Sequence, residues 1–152
     1  MTTTVLAAHG LRVDLPRGWE GSIYCRESGE RETAHPVLHA ATFPLPVDRG
    51  DFGNGAVDRM GWDDVLIVLL EYGPASVGQA LFATAGVPVP LDPSDFSPSI
   101  LQKLIPGQAG TQRFFNQAGR AYCLYVVLGA YRRRERLAAD ASAVVASLRI
   151  EP

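Results

Sequence analysis

The residues able to do chemistry are few and scattered. His35 and His39 stand four apart. On a strand they share a face but lie roughly 13 Å apart, at about 3.3 Å per residue, too far to hold one metal ion. A helix would bring them together, yet Pro36 and the β-rich run after it argue against one. The spacing matches no zinc signature, and surface or hydrogen-bonded histidines are the plain reading. Asp51-Phe52-Gly53 shares its letters with the kinase metal-binding triplet. The glycine-rich loop, strand lysine and catalytic-loop signature that accompany it there are missing, so the match is coincidence. Gly53-Asn54-Gly55 lacks a following Gly-Lys-Ser/Thr, so it reads as a turn and not as a phosphate cradle. Asp58, Asp63, Asp64 and Glu71 cluster in sequence, and Asp63-Asp64 reads as a solvated loop end or cap before a strand. No serine sits in a G-x-S-x-G elbow. Cys25 and Cys123 fall inside strand-like runs without an activating neighbour, and an enclosed thiol is inert. Trp19, Trp62, Phe82 and Phe96 are expected as core or loop anchors. The sequence therefore assigns no catalytic, metal or cofactor-binding residue.

One charge pattern stands out. Arg132, Arg133, Arg134 and Arg136 crowd the start of an expected helix. Cations there oppose the helix dipole by a few tenths of a kcal/mol each. Two readings are open: a solvated loop whose cost Glu135 and Asp140 partly offset, or a patch for an anion or an acidic partner. Nucleic acid is not expected, because the whole chain carries a net charge of −2 and has no basic stripe.

The elements that must position these residues are clearest at residues 110–150. The run 121–128 is rich in Tyr, Val and Leu and apolar on both faces, which fits a central, covered strand. Residues 111–116 precede it, and Gln117-Ala118-Gly119 supplies a glycine turn, so an antiparallel hairpin is expected. Leu137, Ala141, Val144, Val145 and Leu148 form a helical stripe, placing a helix at about 134–147. Upstream, residues 5–8, 11–15, 20–26, 36–43 and 65–72 read as strands, with a polar turn at 27–33 and one helical turn at 55–60. The segment 73–110 holds six of the eleven prolines. Two short helices are expected in it, 75–82 and 97–104, the second opened by Ser97 as cap and Pro98.

A chain of 152 residues fits one domain, 1–152, with a proline-rich insertion at about 73–110. It should bury roughly 68–70% of its unfolded surface without a disulfide or metal. No run of 18 apolar residues spans a membrane. The start MTTTVLAAHG has no basic region or apolar core of a signal peptide, so the cytoplasm is expected. Two cysteines fit that compartment, although they could be neighbours in the sheet. Thirteen of the 14 basic residues are Arg, a usage like that of a GC-rich bacterium.

The opening strand runs into Pro16-Arg17-Gly18-Trp19, and the chain closes on a strand, an amphipathic helix and Ser147-Leu148-Arg149-Ile150. This order resembles the PsbP-like and Mog-type α/β/α sandwich, and also uncharacterised actinobacterial proteins of similar length. The resemblance implies an α+β fold, a mainly antiparallel sheet with helices packed on its faces. It also implies binding or assembly and carries over no catalytic residue. The expected function is accordingly a non-enzymatic protein-binding or assembly domain, through an unknown protein partner or self-association. The insertion or an exposed sheet edge would be its contact surface. The alternative is a small-molecule binder or hydrolase-like enzyme with a pocket under the insertion.

Overall fold

The computed structural model describes residues 3–26 and 35–151, and the turn expected at 27–33 lies outside them. The β-branched and aromatic runs form strands β1 (Thr3–Ala8), β2 (Leu11–Pro16), β3 (Glu20–Arg26) and β4 (His35–Ala41). After them come β5 (Val65–Tyr72), β6 (Ala109–Gln117) and β7 (Arg120–Leu128). The helix α1 (Arg134–Ala146) and the short β8 (Arg149–Ile150) close the chain. The strands make two sheets, ordered β1-β2-β8 and β3-β4-β5-β7-β6, and every pairing is antiparallel. The β6–β7 turn takes positive φ at Ala118 (56°) and Gly119 (73°), the two-residue geometry that matches strand twist.

Alternation along β7 divides the interior into two cores. Tyr122, Leu124, Val126 and Leu128 pack with Leu137, Ala141, Val144 and Val145 of α1 and with Leu11, Val13 and Leu15 of β2. Cys123, Tyr125 and Val127 face the other way, with Leu66, Val68 and Leu70 of β5. Phe43, Ala56 and Val57 of the β4–β5 loop cover that second face. Burial decides the helix. Its N-cap, Arg133, makes no side-chain capping bond. That absence costs about 1 kcal/mol, whereas each buried Leu or Val of the stripe contributes about 1.5–3 kcal/mol.

The expected α/β/α sandwich is therefore overturned. Among the described residues a single 13-residue α-helix covers one face of the large sheet, beside the small sheet. Loop, not helix, covers the other face. The fold is predominantly β, and the PsbP-like and Mog-type resemblance loses the helical layers on which it depended.

The insertion also departs from expectation. The stretch 75–82 is not one helix; it breaks into the 3-10 turns Pro74–Ser76 and Ala80–Phe82. The helix expected at 97–104 does not form. Ser97 instead donates to Gly110 O at 2.9 Å and accepts from Gly110 N at 3.0 Å, on the edge of β6. A 3-10 turn at Pro93–Asp95, capped by Asp92, is the element found nearby. Farther along the same edge, Asn116 N donates to Thr84 O, and Gly86 N donates to Asn116 O, both at 2.8 Å. Phe82, Leu91 and Phe96 sink inward and fasten the segment.

Candidate functional site

The site is built where β7 runs into α1. Gly129 follows the strand directly, and its N–H donates to Asp64 O at 2.8 Å. A Cβ at Gly129 would collide with the Gly61 carbonyl, so glycine is what lets the 61–64 loop lie against this junction. Two residues on, Tyr131 N donates to Gly107 O at 2.7 Å, which draws the end of the insertion to the same place. Between the three segments lies a cavity of about 530 Å³. Trp62, Pro98, Pro106, Tyr131, Arg132 and Arg133 supply its side chains, and Gly107, Gly129 and Ala130 its floor. An adjoining open hollow of about 520 Å³ runs over the arginine run and shares Arg132 and Arg133 with it.

The arginines are unequally engaged. Asp63 takes a hydrogen bond from Arg133 and an ion pair from Arg136 at 3.3 Å. Arg136 also lies 4.0 Å from Asp140. Arg134 donates to Tyr131 O at 3.1 Å, and its guanidinium lies 4.3 Å from the centre of the Tyr131 ring. Arg133 stands 6.0 Å from the centre of the Trp62 ring. Among the described residues the Arg132 side chain makes no hydrogen bond or ion pair. These pairs are solvent-exposed and contribute about 0–1 kcal/mol each. Their weight is in geometry: they hold Arg133 at the cavity and Arg134 and Arg136 along the adjoining hollow, and leave Arg132, which lines both, spare.

The structure separates the other groups singled out above. His35 and His39 both lie buried on β4. His39 Nδ1 accepts from Arg49 Nε at 2.8 Å, and its Nε2 bonds Asp51 O at 2.7 Å. Arg49 continues to Ser22 Oγ at 2.6 Å and Pro46 O at 2.7 Å, while the Tyr24 hydroxyl donates to Asp51 Oδ1 at 2.7 Å. Burial pushes the His39 pKa down to about 4, which outweighs the Asp51 carbonyl bond that favours the charged ring; the Arg49 charge lowers it further. Both ring nitrogens are used, so His39 is a lock on the β4–β5 loop and not a ligand. Among the described residues no group of three His, Cys, Asp or Glu is placed to hold a metal ion. Phe52 of the kinase-like triplet packs edge-on against Tyr125, with ring centres 5.7 Å apart.

Asp63 and Asp64 do more than end a loop. Asp63 gathers two arginines, and Asp64 accepts from Thr42 Oγ1 at 2.9 Å and from Gly61 N at 2.7 Å. Asp58 pairs with Lys103 of the insertion at 2.8 Å. Cys25 and Cys123 are both free and are not sheet neighbours, because β4 and β5 lie between their strands. Burial pushes the Cys123 thiol up to about 11. Trp62 is no core anchor: it is 68% exposed, on the rim of the cavity. Its position was open to sequence reasoning, since a Trp between Gly61 and two aspartates has no apolar run to join. The Asp63–Arg133 contact was not, because 70 residues separate the partners.

The chain matches no protein-family model, no curated protein and no solved structure. No helix among the described residues is long and apolar enough to cross a membrane. The reading of function rests on the site itself.

Proposed function

We propose that this protein is a non-enzymatic binding domain whose ligand lies in the cleft between Trp62, Pro106 and Arg132. The observation that carries this reading is the cavity of about 530 Å³. Its volume suits a small organic ligand, and its walls are aromatic and prolyl with a few charged groups at one end, the usual make-up of such sites. Three segments distant in sequence converge on it, two of them pinned by backbone hydrogen bonds. Its side chains suit holding and orienting a ligand more than transforming one. The test is amide and indole chemical-shift mapping during a fragment screen. Binding fragments should move Gly107, Gly129, Arg132 and the Trp62 indole together. Shifts confined to other surfaces would end the proposal.

A second reading places a protein partner on exposed apolar side chains of the insertion. Leu104 is 72% exposed there, an apolar exposure suited to docking. Capture of a partner that survives Leu104→Asp would discard that reading. The free cysteines support a reducing compartment, the cytoplasm, which cell fractionation would test.

A further inference from the structure

We infer that the cleft takes an aromatic ligand carrying an oxyanion, a carboxylate or a phosphate, with Arg132 as the anchor of the charged group. This rests on the proposal that the cleft is the ligand site and names the chemistry of its occupant.

The inference comes from how the local charges balance. Arg133 and Arg136 spend their charge on Asp63, and Arg136 leans also toward Asp140. Arg134 is turned onto the Tyr131 ring and carbonyl. The Arg132 side chain has no partner among the described residues, yet it lines both the cavity and the adjoining hollow. The carboxylates paired with this run, Asp63 and Asp140, are taken up by Arg133 and Arg136, which leaves the Arg132 guanidinium without a counter-charge partner. A planar guanidinium presents paired N–H donors that match a carboxylate or phosphate edge, which a neutral ligand cannot exploit. Apart from Arg133, which is bound to Asp63, the other large side chains of the cavity are the exposed Trp62 ring, Pro98, Pro106 and Tyr131. Ring stacking and prolyl contact suit an aromatic body, and the charged end then falls at Arg132. Neither half of the site accounts for the other, and a ligand with both features satisfies each.

Isothermal titration calorimetry with four probes tests this: benzoate, phenyl phosphate, benzyl alcohol and inorganic phosphate. Benzoate or phenyl phosphate should bind at least about tenfold more tightly than benzyl alcohol, the scale of a charged hydrogen bond. Which of the two binds better decides between carboxylate and phosphate. Arg132→Ala should remove that advantage, and Arg132→Lys should restore only part of it. Asp63→Asn, which releases Arg133 and Arg136, should tighten binding. Circular dichroism should show each variant folded, since Arg132 and Asp63 are exposed. Equal binding of benzyl alcohol and benzoate, or an advantage untouched by Arg132→Ala, overturns the oxyanion while sparing the cleft. Inorganic phosphate binding as tightly as phenyl phosphate overturns the aromatic half. If none of the probes binds but neutral fragments move the cleft resonances, the ligand class is wrong and the cleft reading stands. If nothing moves them, both fall.

Discussion

Arg49 Nε donates to His39 Nδ1 at 2.8 Å, so a permanently charged guanidinium is held against an imidazole that must stay neutral to accept it. The opposite ring nitrogen bonds the Asp51 carbonyl oxygen. The β4–β5 loop, which covers one face of the large sheet, is thus tied to β4 through a single buried side chain.

That tie makes stability pH-dependent in a defined window. The folded His39 pKa, about 4, lies below the ordinary 6.5 of the unfolded chain. The unfolded state therefore binds the proton more readily, and acid favours unfolding. The contribution is fully present above about pH 6.5, fades as pH falls, and is gone below about pH 4, a total of roughly 3 kcal/mol. Urea unfolding at pH 7, 5.5 and 4 should show the natural protein losing that much more than His39→Gln. Parallel pH profiles would refute it.

Tyr122 offers a contrasting case. Its hydroxyl is buried with no hydrogen-bond partner among the described residues, although the Arg120 guanidinium lies 5.6 Å from its ring centre. Removing an unsatisfied hydroxyl is neutral or favourable by up to about 1 kcal/mol. Tyr122→Phe should keep or raise the melting temperature. Arg120→Met should lower it, by about 2–3 kcal/mol of stability, because it breaks a half-buried pair with Glu71 and bonds to the His9 and Glu151 carbonyls. A melting temperature lowered by Tyr122→Phe would show that the hydroxyl is satisfied in solution.

Gly129→Ala should cost about 2 kcal/mol or more, since the obstructing Gly61 oxygen is backbone and cannot swing aside. Gly119→Ala provides the comparison. It meets no atom within 4 Å but keeps a positive φ, and should cost about 1 kcal/mol. Chemical denaturation of the two variants should rank them in that order. An equal or reversed ranking would mean that the 61–64 loop moves freely from the β7–α1 junction.

What the sequence disclosed follows the physics of each segment. β5 and β7 were legible because an unbroken run of large apolar side chains has few other places to go. The helix stripe from Leu137 to Val145 was legible for the same reason. The Ser97-Pro98 start signal misled because two backbone bonds to Gly110 outweigh one cap, and those depend on a partner strand that local reading does not see. The covering of the second face was legible in part: residues 55–60 read as one helical turn, and a 3-10 turn forms at Val57–Arg59 with Val57 buried. Phe43, read as the end of a strand, instead lies beyond β4, which ends at Ala41, and seals the sheet from the loop. At the cleft, the arginine run was visible in sequence, but its sorting into engaged and spare members needed Asp63 and Tyr131 in space.

The insertion's path along β6 has a consequence for assembly. It pairs with that edge at Ser97 and at Thr84–Gly86, and between them it presents Pro88 and Pro90 beside Thr111 and Arg113. Prolines have no N–H to offer, so this segment neither completes a sixth strand nor leaves the edge bare. It works as a guard rail: a foreign strand cannot join the large sheet at β6 without first prising it off. Because the same segment also walls the cleft, excising it should produce a protein prone to fibrous association as well as one unable to hold its ligand.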